Sequence, residues 1–409
     1  MNDTDCPPAD ATGVPPSPAA SPADPLPSDS LLAYREEFPI LRSKAYLNSN
    51  SLGALSLRSV RERATFEEQW NELGAAAWYE LWMSKLEAVR DGFGRGVGAA
   101  ARDIALMPSV SAGLAAVAGA LEFQKRNRIV ITELDFPTLG HQFLSRRRLG
   151  LEVEIVRSPD GVEVPLEAVE KAVDDRTALL ATSHVFFTSG AIQDAAALAE
   201  IAHRSGAYFL LDAYQSNGQL PISVEECEAD FLVSGCLKWL LGGPGLAFLY
   251  VRPEIDVQPT TLSWFGVRDQ FSFDLEGAVP RDDARRFELG TPAVGAAFTA
   301  AGGLEVIHEV GIPAIRRRNA GLAEDLIERL RERGFGVQVA PTPERRSALV
   351  LVPHPDASTA VQRLAARGIV ADHRAGCVRF SPHFYNTVED GERAVAALAE
   401  TRLPAAGSS

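Results

Sequence analysis

The sequence predicts an α/β protein with a large domain on a mostly parallel sheet and a smaller C-terminal α/β domain. Short apolar runs such as RIVITELD, LEVEIV, ALLATSHV and AYFLLDA alternate with helical stretches. That alternation is typical of a parallel sheet covered by helices on both faces. It lapses after LAFLYV and resumes near Pro292 with two long helices and a further set of short strands.

The length of the chain favours two domains, because 409 residues exceed one ordinary compact domain. Residues 1–30 are rich in Pro, Ala, Ser and Asp, and we predict a disordered tail there. After the tail we predict an N-terminal segment that joins the small lobe at 31–55, a large domain at 56–290 and a small C-terminal domain at 291–409.

The composition of the chain limits the classes of molecule that we expect it to bind. The net charge is −14, and no Lys/Arg block is flanked by aromatic residues, so we expect no nucleic-acid partner. No apolar stretch approaches the roughly 20 residues that span a bilayer, and the N-terminus has no basic region followed by an apolar run. We therefore expect no membrane partner and a cytoplasmic protein. The four cysteines form no CxxC pair, which predicts neither a disulfide framework nor a metal site.

Lys238 stands out among the basic residues. The chain has only five lysines among its 40 Lys and Arg, and Lys238 lies in the apolar, glycine-rich run DFLVSGCLKWLLGGPGLAFLYV. Burial lowers the pKa of an amine, and a neutral amine is what a Schiff base with an aldehyde cofactor requires. The competing interpretation is a lysine that reaches solvent from a strand end, and it would be preferred if Lys238 stood alone.

Asp212 ends the strand AYFLLDA, 26 positions before Lys238. In parallel sheets, ligands bind at the carboxyl ends of the strands. A carboxylate at that edge can keep a pyridine nitrogen protonated, which makes the ring an electron sink. Gln215, three residues later, can donate to the phenolic oxygen of the same ring. Capping of the next turn is the alternative use of Asp212.

Further positions complete a candidate ligand site. The run SVSAG precedes an Ala-rich helix, so the hydroxyls of Ser109 and Ser111 with free backbone N–H groups suit a phosphate, although ordinary N-capping has the same pattern. Phe136 in the turn DFPT can stack on a planar ring or pack in the core. Arg379 in VRFSPHFYN can hold a carboxylate with two parallel hydrogen bonds or form a structural salt bridge.

Together these stretches resemble the class V aminotransferases. These are pyridoxal 5′-phosphate (PLP) enzymes of fold type I, and the group also holds kynureninases, cysteine desulfurases and isopenicillin-N-epimerase-like proteins. The most specific piece is LLDAYQSNGQLPISVEECEADFLVSGCLKWLLGGPGLAFLYV, and YLNSNSLGALS, DFPT, SHVFFTSG and RRFELGTP also match. The resemblance implies a seven-stranded, mostly parallel sheet, PLP as the cofactor, an amino acid as the substrate and a homodimer with the active site at its interface.

The resemblance also implies a role for each site residue. Lys238 is the expected Schiff-base lysine, Asp212 the partner of the pyridine nitrogen and Gln215 the neighbour of the ring oxygen. Arg379 and Asn50 are expected to bind the substrate. The other expected cofactor contacts are Val110 and Ser111 on the phosphate, Phe136 on the ring and Thr291 reaching the phosphate from the other subunit. Further candidates for the substrate side are Ser49, Trp264 and Phe265.

The expected reaction begins when Lys238 moves the α-proton of the substrate while the protonated ring holds the resulting charge. A kynureninase-like lyase or hydrolase and an aminotransferase are the leading interpretations. The motifs NSLG, DFPT and SHVFF resemble kynureninases, whereas Leu237, Gln215 and Leu139 depart from them. A C–S lyase or an epimerase of the same family and a catalytically silent scaffold remain open. A nucleotide-binding protein ranks last, because SVSAG lacks the Walker lysine and no GxGxxG follows the first strand.

Overall fold

The computed structural model describes residues 29–401. The predicted tail lies outside the described residues except for its last two positions, which begin a 3-10 helix, Asp29–Glu37. Short strands recur through the described range. They are β1 (Ala45–Tyr46), β2 (Ile104–Met107), β3 (Arg128–Thr132), β4 (Glu152–Val156), β5 (Thr177–Ser183), β6 (Tyr208–Asp212), β7 (Phe231–Gly235), β8 (Ala247–Val251), β9 (Val350–Pro353), β10 (Ile369–Val370), β11 (Asp372–Arg374) and β12 (Cys377–Phe380).

Helices fill most of the intervals between these strands. The α-helices are α1 (Leu57–Leu73), α2 (Met83–Val97), α3 (Val110–Ala120), α4 (Pro137–Leu144), α5 (Leu166–Ala172), α6 (Ala195–Arg204), α7 (Val294–Val310), α8 (Ile312–Glu332), α9 (Ala357–Ala366) and α10 (Val388–Ala399). Several begin where a side chain satisfies a free backbone N–H: Asp194 accepts from Ala197 N at the start of α6, and Thr387 forms a capping box with Asp390 at the start of α10.

Seven strands form the large sheet in the order β2-β8-β7-β6-β5-β3-β4. Strand β8 runs antiparallel to both of its neighbours, and every other pair of neighbours is parallel. The predicted seven-stranded, mostly parallel sheet is therefore confirmed. Because β6 and β7 are parallel neighbours, the segments that follow Asp212 and Gly235 leave the sheet at the same edge.

The apolar runs explain why these strands lie inside the molecule. Every residue of β5, β7 and β8 is buried, as a strand covered on both faces requires. Two large apolar clusters, one that includes Phe209, Leu211 and Phe248 and one that includes Leu210, Phe231 and Leu249, pack on the sheet. Neighbouring residues of β6 belong to different clusters, because successive side chains of a strand point to opposite faces.

The C-terminal strands form a smaller antiparallel sheet, in the order β11-β12-β9. A third apolar cluster unites it with α8, α9 and α10 through residues such as Leu330, Val350, Leu364 and Leu398. The N-terminal strand β1 pairs in parallel with β10, so the segment near residue 45 packs with the C-terminal elements. The division of the chain at 55/56 and 290/291 stays a prediction.

In the part of the chain that the structure describes, no helix combines the length and the apolar composition needed to cross a bilayer. The cytoplasmic location remains a prediction from the sequence.

Candidate active site

A cavity of about 280 Å³ lies where the large sheet meets the N-terminal segment and the C-terminal hairpin. Its volume is near the lower end, roughly 300 Å³, of small-molecule sites. Nine of the predicted site residues line it: Asn50, Ser109, Val110, Ser111, Phe136, Asp212, Gln215, Lys238 and Arg379. The cavity therefore collects side chains from both halves of the chain at one edge of the sheet.

Lys238 enters the cavity three residues after β7 ends. Its Nζ lies 4.1 Å from the centre of the Tyr214 ring and 5.7 Å from that of Phe136. Burial lowers the pKa of Lys238 to about 8, the charge of Asp212 opposes that shift, and the charges of Arg379 and Arg374 add to it. The amine is thus closer to its neutral, nucleophilic form at physiological pH than an ordinary lysine is.

Two glycines allow the backbone around Lys238 to pack this closely. A Cβ on Gly53 would lie 2.2 Å from the carbonyl oxygen of Lys238, and the Gly53 N–H donates to Leu237 O at 2.9 Å. A Cβ on Gly235 would lie 2.4 Å from Tyr214 Cζ, so only glycine leaves room for the ring beside the amine. The NSLG loop and the lysine segment are therefore held against each other by backbone contact.

Asp212 is buried at the end of β6. Its Oδ1 accepts a hydrogen bond of 2.9 Å from the backbone N–H of Tyr214. Burial raises the pKa of this carboxyl, the Tyr214 N–H and the charge of Lys238 lower it, and the charge of Asp135 raises it further. The opposing shifts of Asp212 and Lys238 reflect one cause, the loss of water from both groups.

Gln215 sits between the cavity and the N-terminal loop. Its Nε2 donates to Asn50 O at 3.0 Å, and its Oε1 accepts from Trp239 Nε1 at 2.9 Å. The amide orientation is thereby fixed from both ends, which leaves one Nε2 hydrogen for another acceptor.

The expected phosphate end of the cavity lies at the start of α3. Ser109 caps this helix, because its hydroxyl accepts from Ala112 N at 3.2 Å. The hydroxyl of Ser111 instead bonds Thr138 Oγ1 at 2.8 Å. Two hydroxyl groups and the free N–H groups of an 11-residue helix thus converge beside Val110.

Phe136 lies over the cavity and is 45% exposed, with its ring edge-to-face against Phe187 at 5.2 Å. The residue before it anchors the turn. The buried carboxylate of Asp135 accepts from Thr132 N at 2.8 Å, from Ser183 N at 2.7 Å and from Thr182 Oγ1 at 2.9 Å. Asp135 therefore joins the ends of β3 and β5 and fixes the backbone position from which the Phe136 side chain extends.

Arg379 lies on β12 opposite Asp372 on β11. Its Nε and Nη2 donate to the two oxygens of Asp372, at 2.8 Å and 2.5 Å, and its Nη1 donates to Phe187 O at 3.1 Å. The arginine therefore forms a structural salt bridge, the alternative that the sequence left open, with an aspartate of its own hairpin, and its role in substrate binding stays a prediction.

Asn50 lies over the face of the same guanidinium. With its amide oxygen turned toward Arg379, that oxygen lies 2.9 Å from Nη2, 3.2 Å from Nη1 and 3.3 Å from Nε, and the amide nitrogen donates to Ser381 Oγ at 2.6 Å. Asn50 and Arg379 thus meet although they are far apart in the sequence.

Four predicted residues lie elsewhere. The hydroxyl of Ser49 is bonded to Tyr385 Oη at 2.8 Å, Phe265 is buried beside Trp264, and none of the three lines the cavity. Thr291 is exposed and also lies outside the lining, so its role in the other subunit stays a prediction.

Sequence reasoning missed several residues that line or support the cavity: Thr138, Tyr214, Phe187, Arg374, Asp135 and Asp372. Two of them had a local signal. Thr138 follows Phe136 in the first turn of a helix, and the run DHRAGCVRF alternates charged residues across a two-residue turn, which is typical of a hairpin. Tyr214 has no such signal, because its place beneath the lysine depends on Gly235.

Residues 74–393 match the family model described as aminotransferase class-V, which is most of the chain. The chain belongs to the class-V aminotransferase family. It is 34% identical over 368 residues to an uncharacterized aminotransferase, YcbU, of Bacillus subtilis (strain 168), a match that covers 90% of this chain and 96% of the relative. It is 29% identical over 381 residues to a kynureninase of Bacillus anthracis, which covers 88% of this chain and 89% of that enzyme.

Solved structures share the fold of this class-V protein. The apo cysteine desulfurase of Thermococcus onnurineus NA1 superimposes with a TM-score of 0.82 at 23% identity, over 92% of this chain and 98% of that one. A lysine-to-alanine mutant of C-DES with glycine covalently linked to its PLP cofactor also gives 0.82, at 20% identity over 90% and 99%. The predicted fold type I is confirmed. The family and these relatives make the chain a PLP-dependent enzyme.

The residues of the cavity fit PLP. Hydroxyls and a helix N-terminus suit its phosphate, a buried carboxylate suits its ring nitrogen, and an amine with a lowered pKa suits its aldehyde. The second Nε2–H of Gln215, which has no acceptor among residues 29–401, suits the ring oxygen. When bound, PLP supplies an electron sink for charge that develops at the α-carbon of an amino acid.

Proposed function

We propose that this enzyme is an aminotransferase, which moves the amino group of an amino acid to a 2-oxo acid. In this proposal Lys238 binds the cofactor covalently, Asp212 pairs with its ring nitrogen, Gln215 donates to its ring oxygen and Phe136 covers the ring. Val110 and Ser111 hold the phosphate together with Thr291 of a second copy, while Arg379 and Asn50 hold the α-carboxylate of the substrate.

One observation supports transamination above hydrolysis of a Cβ–Cγ bond. Among the side chains that line the cavity, Lys238 is the single amine, and Asp212 is committed to the cofactor. Burial raises the pKa of Tyr214, so its hydroxyl stays protonated. Transamination needs only one movable base, which takes the α-proton and returns it, and Lys238 Nζ can do both.

A kynureninase-like hydrolase is the second candidate. It is supported by relatives named kynureninases, such as one of Bacillus mycoides (strain KBAB4) that is 30% identical over 88% of this chain. Hydrolysis of a Cβ–Cγ bond requires an activated water as well as the base at the α-carbon. Leu237 stands beside the lysine where a polar side chain would serve that purpose, so the cavity supports this reaction less well.

The experiment is a product analysis with the purified, PLP-loaded protein. Each L-amino acid is incubated with 2-oxoglutarate, pyruvate or glyoxylate, and the new amino acid is measured by mass spectrometry. L-Kynurenine is tested for release of anthranilate and alanine. Amino-group transfer supports the proposal, and anthranilate without transfer replaces it with the second candidate. Sulfide, ammonia or a racemised substrate points to the C–S lyase or epimerase alternative, and no turnover of any substrate points to the scaffold.

We also propose that the enzyme acts as a homodimer. Tyr79, Trp264 and Phe271 form an aromatic patch, Phe273 and Leu275 follow Phe271 within four residues, and these five side chains are 41–95% exposed. Rings in this patch already touch, with Tyr79 and Trp264 at 5.6 Å and 6.2 Å from Phe271. Exposed apolar patches of this kind mark protein interfaces. Sedimentation should give twice the mass of one chain, and a Leu275→Asp variant should sediment as a monomer. A wild-type monomer would contradict the proposal.

A further inference from the structure

The hairpin of β11 and β12 presents one charged face to the cavity. Asp372 pairs with Arg379 and Arg374 pairs with Cys377, so these four residues alternate onto the same face of the hairpin. The turn between the strands is Ala375-Gly376, and both residues have positive φ, 49° and 76°. Two positive φ values are the mark of the tight hairpin turn that keeps its strands in register. The turn therefore holds Arg374 at a fixed place on the rim.

Three of the five N–H groups of Arg379 already have acceptors in the protein. One edge of its guanidinium, Nε and Nη2, is taken by Asp372, and Nη1 also donates to Phe187 O. The Asn50 oxygen is nearly equidistant from Nε, Nη1 and Nη2, so it lies over the plane of the guanidinium and leaves the other N–H groups of Nη1 and Nη2 without an in-plane acceptor among residues 29–401. A substrate carboxylate can accept from these N–H groups, since a charged acceptor binds a guanidinium strongly. It cannot displace Asp372 without leaving a charge unpaired.

Arg374 has fewer protein partners than Arg379. It lines the cavity, and about half of its side chain, 52%, is exposed. Its Nη1 donates to the adjacent carbonyl of His373 at 2.6 Å. Within residues 29–401, the one carboxylate within 4.0 Å is Asp372 at 3.9 Å, and both oxygens of Asp372 already accept from Arg379. The rim of the cavity thus carries a positive charge with donors to spare.

We propose that Arg374 binds a carboxylate at the end of the substrate side chain, so that the enzyme takes acidic amino acids. The inference rests on the proposed function and names its substrate class. Arg379 and Asn50 receive the α-carboxylate, and Arg374 receives the distal one. Arg374 pairs across the hairpin with Cys377, which is two residues before Arg379 on β12. Two residues of a strand span roughly 6.8 Å, so Arg374 and Arg379 are separated by about that distance along the strand. Flexible arginine side chains at that spacing can reach the two ends of one short dicarboxylate.

The position of Arg374 near the reacting amine agrees with this assignment. Burial is the main cause of the lowered pKa of Lys238, and the charges of Arg379 and Arg374 both contribute to it. Lys238, Arg374 and Arg379 line the same cavity, so one ligand in it can meet all three side chains.

The test measures binding without turnover. Isothermal titration calorimetry on the PLP-loaded protein compares succinate, a dicarboxylate, with butyrate, a monocarboxylate of equal chain length. Wild type should bind succinate more tightly. Arg374→Gln should weaken succinate about 10- to 100-fold, as the loss of a charge-assisted pair implies, and change butyrate less than about 3-fold. Arg374→Lys should recover part of the loss, because lysine keeps the charge without the planar fork.

A matched control is Arg367→Gln. The side chain of Arg367 is 48% exposed, is paired with Glu400 and does not line the cavity, so both ligands should bind the control as they bind wild type. Equal binding of succinate and butyrate to wild type, or equal weakening of both by Arg374→Gln, would overturn the inference. In the latter case Arg374 acts on the α-carboxylate.

The readout separates this inference from the proposed function. If Arg374 selects succinate but no amino acid is transaminated, the assignment of the reaction fails and the assignment of the site stands. If neutral amino acids are transaminated as well as L-aspartate and L-glutamate, and Arg374→Gln affects all of them alike, the reaction stands and the inference about the substrate class is wrong.

Discussion

The cofactor wall of the cavity, made by Asp212, Gln215 and Lys238, comes from two neighbouring strands of one sheet. The substrate wall, made by Asn50, Asp372, Arg374 and Arg379, comes from an N-terminal loop and a C-terminal hairpin. The first wall holds a buried amine and carboxylate with few protein partners. The second holds an arginine that is already paired with Asp372 of its own hairpin. The difference indicates that the cofactor meets charged groups with open positions, whereas a substrate carboxylate must share its arginine with a carboxylate of the protein.

The largest effect is expected when the charge of the cofactor wall is removed. Asp212→Asn keeps an oxygen that can accept from Tyr214 N, but it cannot keep a ring nitrogen protonated. We expect kcat to fall about 10²- to 10³-fold, the range for the loss of one preorganised electrostatic partner. The measurement is single-turnover kinetics with the best amino acid.

The cofactor should still attach to Lys238 in this variant, since the amine is untouched. Asp282→Asn is the control, because Asp282 is an exposed partner of Arg268. An Asp212→Asn enzyme with unchanged kcat would show that the cofactor wall does not depend on this charge.

A smaller effect is expected on the substrate wall. Arg379→Lys keeps the charge but loses the planar fork that lets Asp372 and a carboxylate occupy two edges at once. We expect KM to rise about 10- to 100-fold for all amino acids alike, with a smaller change in kcat. Steady-state kinetics on a neutral and an acidic substrate give this split. The visible cofactor band should be the same as in wild type, and a lost band would mean that the two walls are not separable.

The smallest expected effect is on the pH dependence of cofactor attachment to Lys238. Because the pKa of Lys238 is lowered to about 8, the amine should be half neutral near pH 8, below the 10.5 of an ordinary lysine. The rate at which added PLP forms its Lys238-dependent visible band on the apoprotein should therefore rise about tenfold per pH unit below pH 8 and level off above it. Stopped-flow absorbance between pH 6.5 and 9.5 measures the midpoint. A rate that still rises steeply at pH 9.5 would show that the amine is solvated.

The two walls also differ in how far the sequence predicts them. The sequence predicts that Asp212 and Lys238 lie close together, because each follows an apolar run and parallel neighbouring strands end at the same edge of a sheet. The sequence does not predict the contact between Asn50 and Arg379, since Asn50 reaches Arg379 only through the pairing of the N-terminal segment with the C-terminal elements. The bond between Asn50 and Ser381 spans 331 residues, a separation at which local patterns carry no information.

Trp264 and Phe265 are two residues whose predicted place on the substrate side does not agree with the structure. Aromatic residues in an irregular loop can face a ligand, the core or another chain, and the loop gives no period from which to choose. In the structure Phe265 is 4% exposed and Trp264 is 41% exposed, next to the other members of the aromatic patch. Only the packing of the whole chain decides between these uses.

The most direct test of the central claim is to find the lysine that carries the cofactor. PLP-loaded wild type, Lys238→Ala and the control Lys171→Ala, whose lysine is exposed, are compared by absorption spectra. Each is then reduced with borohydride, digested and mapped by mass spectrometry. We predict a visible band and a phosphopyridoxyl mass on the Lys238 peptide in wild type and in the control, and neither in Lys238→Ala. A Lys238→Ala protein that keeps the band, or a label on another lysine of wild type, would contradict the account.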